Sequence, residues 1–368
     1  MNFKLVRVVL GRLILGLAGI LVIFVLLELG LRLWGGELAT RSGLPVGWLL
    51  DDTTEWLPDK DLIFVRQDVK DNILSVSQNP PEKPLILVLG DSFVQGNTVK
   101  PANRFDSQMS LILQQRGLDH SLLNVGTSGY GVDQELTLLK QILAKGITPQ
   151  ILIWTFYVND VFENGQQPTF TIDAAGNLEP LAGSKDFVYQ RQSFYESIPL
   201  PAQLKNQSAL VMASLHFFNL GILQQVPAEL RTYHKKTPWA YQKMELEIRA
   251  GYELAKQYNF QIVPVLIEPQ LDYSTDQPVQ ETQNEVGYIN SFLSQKPNYI
   301  RLNLRHMRSL PAYQPIFNQI DASDPAVFFN TPSLDPVPYG YRHFNELGYK
   351  IFGQIVAEFV GPLLSQKP

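Results

Sequence analysis

Residues 85 to 96 read Leu-Ile-Leu-Val-Leu-Gly-Asp-Ser-Phe-Val-Gln-Gly, and this stretch constrains the fold more than any other. Five consecutive aliphatic residues with no polar position among them predict a strand buried on both faces of a parallel sheet. Gly90 ends the run, and the turn it opens lifts Ser92 off the sheet edge. A serine in that place stands outside the carboxyl end of a strand, where open α/β sheets put their ligands.

Downstream, apolar runs alternate with amphipathic ones. Strands are expected at Leu85–Leu89, Ser121–Val125, Ile151–Phe156, Gln261–Ile267 and Tyr299–Leu304. Helices are expected at Phe105–Arg116, Gln134–Ala144, Trp239–Gln257, Glu281–Ser294 and Asn345–Val360. The third helix carries its own start signal, with Thr237 as N-cap and Pro238 at the first helical position. The last places Phe352, Ile355, Val356 and Phe359 on one face. Such alternation implies a parallel sheet covered on both sides by helices. Residues 161–236 break it. They are long for a connection and are interrupted by an apolar stretch, Ala209–Leu223, so an insertion over the carboxyl edge of the sheet is expected.

The amino terminus has a different character. Leu13 to Leu27 is uncharged, and with its flanks from Val8 to Trp34 the segment is long enough to span a bilayer. Lys4, Arg7 and Arg12 precede the run, which predicts a cytoplasmic amino terminus and an extracytoplasmic remainder. No small-x-small cleavage site follows it, so the segment reads as an uncleaved anchor over 1–36 rather than a signal peptide. Residues 37–81 mix Gly, Pro, Asp and Trp without a clear period and read as a juxtamembrane linker leading into the main domain over 82–368. The chain has no cysteine, which excludes disulfides and thiolate metal sites, and a net charge of −5 argues against a nucleic-acid partner. His120, His216, His234 and His306 show no paired ligand spacing, so neither a metal site nor a cofactor is expected.

Four short patterns fall at the ends of successive elements. They are Gly90-Asp91-Ser92-Phe93, then Asn124-Val125-Gly126-Thr127-Ser128-Gly129-Tyr130-Gly131, then Tyr157-Val158-Asn159-Asp160, and finally His343-Phe344-Asn345-Glu346 at the start of the last helix. Each is weak alone. A Gly-Asp-Ser is usually a turn, an Asn-Asp at a strand end is more often a helix cap, and a single histidine before a helix is usually a surface residue. Their order and placement are what carry weight.

The four patterns resemble the four sequence blocks of the SGNH/GDSL hydrolases, and the resemblance runs from about residue 82 to the end. It implies a flavodoxin-like three-layer α/β/α sandwich, here preceded by one transmembrane helix. It also implies a serine esterase or acyltransferase without cofactor. Ser92 resembles the nucleophile and its own N–H the first oxyanion donor; Gly129 resembles the second donor, Asn159 the side-chain donor and His343 the base. A serine hydroxyl needs a base to accept its proton, and the tetrahedral oxyanion needs preorganised donors. The chain makes three departures from the family pattern. Phe93 stands where leucine is usual, and Tyr157 where glycine is usual. Tyr341 and Gly340 stand where the triad aspartate is expected, so Asp335, eight residues before His343, becomes the candidate acid. Glu346 and a backbone carbonyl are weaker candidates to orient the imidazole. Asp91 reads as a residue that shapes the turn.

The leading expectation is thus a membrane-anchored extracytoplasmic serine esterase acting on an acylated lipid or a cell-envelope glycan. Transfer of the same acyl group to a sugar hydroxyl, or non-catalytic binding of an acylated glycan, are the alternatives.

Overall fold

The computed structural model describes residues 56–59, 61–96, 98–166, 169–180, 238–268, 280–303 and 343–366, with residues 19, 22–27, 29 and 314. The chain divides into two compact units. One comprises Met1–Thr53, Tyr195–Val226 and Thr331–Pro336. Its described residues 22–27 are helical, and Val22, Ile23, Val25, Leu26 and Leu27 are all exposed. Among the described residues no helix is long and apolar enough to cross a membrane, and most of the expected span from Val8 to Trp34 lies outside them.

The other unit holds the sheet. Its strands are β3 (Leu85–Leu89), β4 (Ser121–Asn124), β5 (Ile151–Phe156), β8 (Gln261–Ile267) and β9 (Ile300–Leu302). They are all parallel and lie in the order β4-β3-β5-β8-β9. Counted among themselves in chain order the strands run 2-1-3-4-5, the doubly wound arrangement whose switch point falls between the first and third strands. Here that point is the crevice between β3 and β5.

The period of two along each strand splits the core into two layers. Leu87 and Leu89 of β3 and Leu152, Trp154 and Phe156 of β5 face one side, where they meet α4 (Val132–Ala144), α6 (Pro238–Tyr258) and α7 (Gln280–Leu293). Ile86 and Val88, Ile151 and Ile153, and Val263 and Val265 face the other, against α3 (Phe105–Gln115) and α8 (Glu346–Leu364). Each fully buried aliphatic side chain of these layers contributes about 1.5–3 kcal/mol. The α3–α8 contact is tight, with the Phe105 and Phe352 rings stacked 4.0 Å apart. That contact pins the start of α8, and hence the residues just before it, to the carboxyl edge of the sheet.

The expected strands and helices all appear, with ends displaced by up to four residues. The largest difference lies upstream. Within the 37–81 segment read as a linker, β1 (Trp56–Asp59) and β2 (Ile63–Arg66) form an antiparallel hairpin that runs into α1 (Gln67–Gln78). Leu62, Val65, Val69 and Ile73 from this module are buried in the first core layer. The helical spacing of Val69 and Ile73 is only two residues long, too short to stand out from a polar background. A single helical turn begins at Ser92 as α2 (Ser92–Gln95). The insertion begins with α5 (Asn159–Gln166) and a small hairpin of β6 (Phe170–Ile172) and β7 (Leu178–Pro180); residues 181–237 lie outside the described residues.

A buried ionic cluster ties the root of this insertion to the core. Lys243 on α6, fully buried, lies 3.0 Å from Asp133 and 2.6 Å from Glu247. Asp133 also accepts from the Thr169 N–H at 2.6 Å, and Asn164 donates to Glu247 at 2.7 Å. Burial alone pulls the Lys243 ammonium down, but the two carboxylates outweigh it and hold the lysine above its ordinary value. Burial pushes Glu247 up to about 8, against the pull of Lys243. Removing one member strands the others in a buried site, so Lys243→Met is expected to lower unfolding stability by about 3–5 kcal/mol. Urea denaturation checks this, and a loss below about 1 kcal/mol refutes it.

Candidate active site

Ser92 is the first residue of α2, and the turn before it is packed from both sides. A Cβ on Gly90 would sit 2.0 Å from Thr155 Oγ1 on β5 and 2.5 Å from Val94 Cγ2, so only glycine lets β3 turn this close to its neighbour. Asp91 caps α2. Its Oδ1 accepts the Phe93 N–H at 2.9 Å, and its Oδ2 accepts from Asn159 Nδ2 at 3.1 Å and from Ser92 Oγ at 3.3 Å. Burial pushes the Asp91 carboxyl above its usual range; the hydrogen bonds from Phe93 and Asn159 and the charge of His343 oppose that shift. Asp91 therefore does more than shape the turn. It holds the Asn159 amide in one orientation, because flipping that amide would set oxygen against carboxylate oxygen.

His343 reaches the same point from 251 residues away, its Nε2 lying 2.8 Å from Ser92 Oγ. Several contacts fix its approach. Phe344 is buried, its carbonyl accepts from Thr98 Oγ1 at 3.2 Å, and Asn345 caps α8 by accepting the Gly348 N–H at 3.0 Å. The Phe93 ring lies 4.9 Å from the imidazole and 4.4 Å from the Tyr157 ring. The two departures from the family pattern on this side thus pack together, Tyr157 filling in beneath Phe93 and Phe93 flanking the imidazole. Glu346, a weaker candidate acid, is exposed and accepts from Asn103 Nδ2 at 2.6 Å. Asp335 lies outside the described residues.

The loop after β4 shows which of its amides is available. Gly126 N–H bonds to Asn124 Oδ1, Thr127 N–H to the Gly90 carbonyl, and Ser128 N–H to Gln95 Oε1. Tyr130 N–H bonds to the Thr127 carbonyl, and Gly131 N–H to Gln134 Oε1. Among the described residues, only the Gly129 N–H in this loop has no acceptor. Gly129 also has φ of +78°, a left-handed conformation that side chains resist and that turns its peptide out of the loop's own bonding pattern. The Ser92 N–H has none either, as befits the first amide of a helix. Asn159 spends one N–H on Asp91, and the second is free of any partner among the described residues.

Serine hydroxyl and imidazole are thus in hydrogen-bond contact at the switch point, and three N–H groups without acceptors issue from that edge: Ser92 after β3, Gly129 after β4 and Asn159 after β5. Sequence reading placed Ser92, Gly129, Asn159 and His343 here. It missed the clamping role of Asp91 and that of Gln95, which lies three residues after Ser92 on the same short helix, a spacing that is itself a usable signal.

Fold and site together define a serine–histidine pair on the carboxyl edge of a doubly wound α/β sheet, the arrangement that the SGNH/GDSL resemblance implies. Structurally, the chain is similar to a lipolytic protein of the G-D-S-L family from Veillonella parvula DSM 2008, at 12% identity over 74% of this chain and 96% of that one, with a TM-score of 0.37. It is similar to a family 3 carbohydrate esterase of Clostridium thermocellum, at 12% identity over 76% and 96%, with a TM-score of 0.39. It is likewise similar to the acetyl xylan esterase AlAXEase, at 15% identity over 75% and 97%, with a TM-score of 0.37. No family model and no curated protein matches the chain.

Proposed function

We propose that the protein is a membrane-anchored serine esterase whose catalytic unit lies outside the cytoplasmic membrane and removes an acyl group from an acylated lipid or cell-envelope glycan. The contact of 2.8 Å between His343 Nε2 and Ser92 Oγ carries this reading. In it, His343 takes the hydroxyl proton as Ser92 attacks the ester carbonyl, and the alkoxide that develops is met by the Ser92 and Gly129 N–H groups and the Asn159 amide. His343 then returns the proton to the leaving alcohol, and water repeats the sequence on the acyl-serine. A sugar hydroxyl in place of that water makes the same centre a transferase. Asp335 is the group proposed to orient the imidazole.

Anchoring is supported by the uncharged run Leu13–Leu27 behind Lys4, Arg7 and Arg12, and by the exposure of the apolar helical residues Val22, Ile23, Val25, Leu26 and Leu27. An envelope substrate follows from that location.

The test is hydrolysis of a short-chain nitrophenyl ester by the full chain in detergent, paired with covalent labelling by a fluorophosphonate. Turnover with a label on Ser92 supports the esterase; neither turnover nor label leaves a binding protein. Asp335→Asn is expected to slow turnover while leaving the label on Ser92, and an unchanged rate removes Asp335 from the mechanism.

A further inference from the structure

We propose that Arg66, which lies upstream of the stretch that resembles the hydrolases, is a positioning residue for the loop at 126–131 and through it for the Gly129 N–H; the role in catalysis rests on the esterase reading above. Arg66 is only 6% exposed, and an arginine is almost never buried that far unless its charge is engaged. It is engaged on two edges. Nε and Nη2 grip the Asp68 carboxylate, Nε at 3.0 Å, and Nη1 donates to the Gly126 carbonyl at 2.7 Å across 60 residues of sequence. Asp68 holds the guanidinium plane in place, so the third bond has a defined direction. A lysine could offer only a point charge there.

The same upstream module grips the far end of the loop. The Leu62 carbonyl accepts from Gln134 Nε2 at 3.0 Å, and Gln134 Oε1 accepts the Gly131 N–H at 3.2 Å. Gly126 and Gly131 are thus both tied, one directly and one through Gln134, to the turn and strand at 62–66. Gly129 lies between the two ties with its N–H left over. The turn and strand that make these ties are fastened in the core by Leu62 and Val65. The loop contains three glycines, which on their own favour many conformations. An oxyanion donor misplaced by about 1 Å costs on the order of a hundredfold in rate, so a loop of this composition needs such external ties.

The test compares three substitutions in the full chain. Arg66→Met keeps the stem but removes the grip on Gly126; kcat for a nitrophenyl ester is expected to fall about 10–100-fold with KM within about twofold. Arg66→Lys restores part of that loss. Ile73→Ala loosens the same helix through the core without touching the loop, and it is expected to keep kcat. A kcat for Arg66→Met no lower than that of Ile73→Ala overturns the proposal, because that is the signature of a purely structural arginine. Amide hydrogen exchange at 126–131 reads the grip independently of turnover. Exchange that rises in Arg66→Met but not in Ile73→Ala supports it, and exchange unchanged in Arg66→Met overturns it. A wild-type chain inert toward esters whose loop nevertheless loosens in Arg66→Met refutes the esterase reading and upholds the grip.

Discussion

Ser92→Ala and His343→Ala are each expected to lower ester hydrolysis by about 10⁴–10⁶-fold, and the double substitution by no more than the worse single one. The reason is that the two side chains act as one unit. Without the imidazole 2.8 Å away, the hydroxyl has no acceptor suited to its proton; without the hydroxyl, the imidazole can at most activate a water that nothing positions. Asp91 is the poorer acceptor for that proton: its Oδ2 is 3.3 Å from Ser92 Oγ against 2.8 Å for the imidazole, and its carboxylate is shared with the Phe93 N–H and the Asn159 amide. Whatever rate survives belongs to the remaining N–H donors and to substrate binding. Steady-state kinetics on the three variants decides the matter. Independent, multiplicative losses for the two single variants would mean that they do not share a step, and a Ser92→Ala protein still labelled by fluorophosphonate would mean that the nucleophile is elsewhere.

Asn159→Ala is expected to cost about 10²–10³ in kcat and little in KM, since a donor aimed at an oxyanion matters in the transition state and hardly in the ground state. The structure adds a second consequence. Asp91 is buried, and the Asn159 amide is one of the donors that satisfy its Oδ2. Its loss leaves that oxygen short of a partner, which costs about 1–3 kcal/mol of stability. The two effects separate by measurement. Thermal unfolding reports the second, while the ratio of kcat to KM at a temperature where the variant is fully folded reports the first. If kcat recovers fully at low temperature, Asn159 serves only to hold Asp91, and it leaves the oxyanion site. Asn159→Asp sharpens the contrast by placing two carboxyls in contact at this buried point, which raises the pKa of one of them and abolishes the donor.

Much of this centre was visible in the chain itself, and the reason differs from residue to residue. Leu85–Leu89 is an uninterrupted apolar run and Ile151–Phe156 is broken only by Thr155, because both faces of those strands are covered, so their identity and ends needed no tertiary information. Ser92 and Asn159 follow those runs directly, and a residue just past a parallel strand has few places to go. His343 is marked by the helix that starts after it. The module at 56–78 was invisible for the opposite reason: its strands are four residues each, and its helix buries only Val69 and Ile73. The exposed remainder of that helix looks like any polar linker.

Sequence alone therefore determined the layered parallel architecture and the four positions of the candidate site, Ser92, Gly129, Asn159 and His343, because burial on two faces and turns at strand ends are local demands that leave local residue patterns. Only the tertiary structure decided which groups surround those four: Asp91 on the amide of Asn159, Gln95 and Arg66 on the loop around Gly129, and Phe93 beside the imidazole with Tyr157 packed against Phe93. These are single polar or ring contacts made across up to 250 residues of chain, and a hydrogen bond between distant segments imposes no period and no spacing on the sequence at either end.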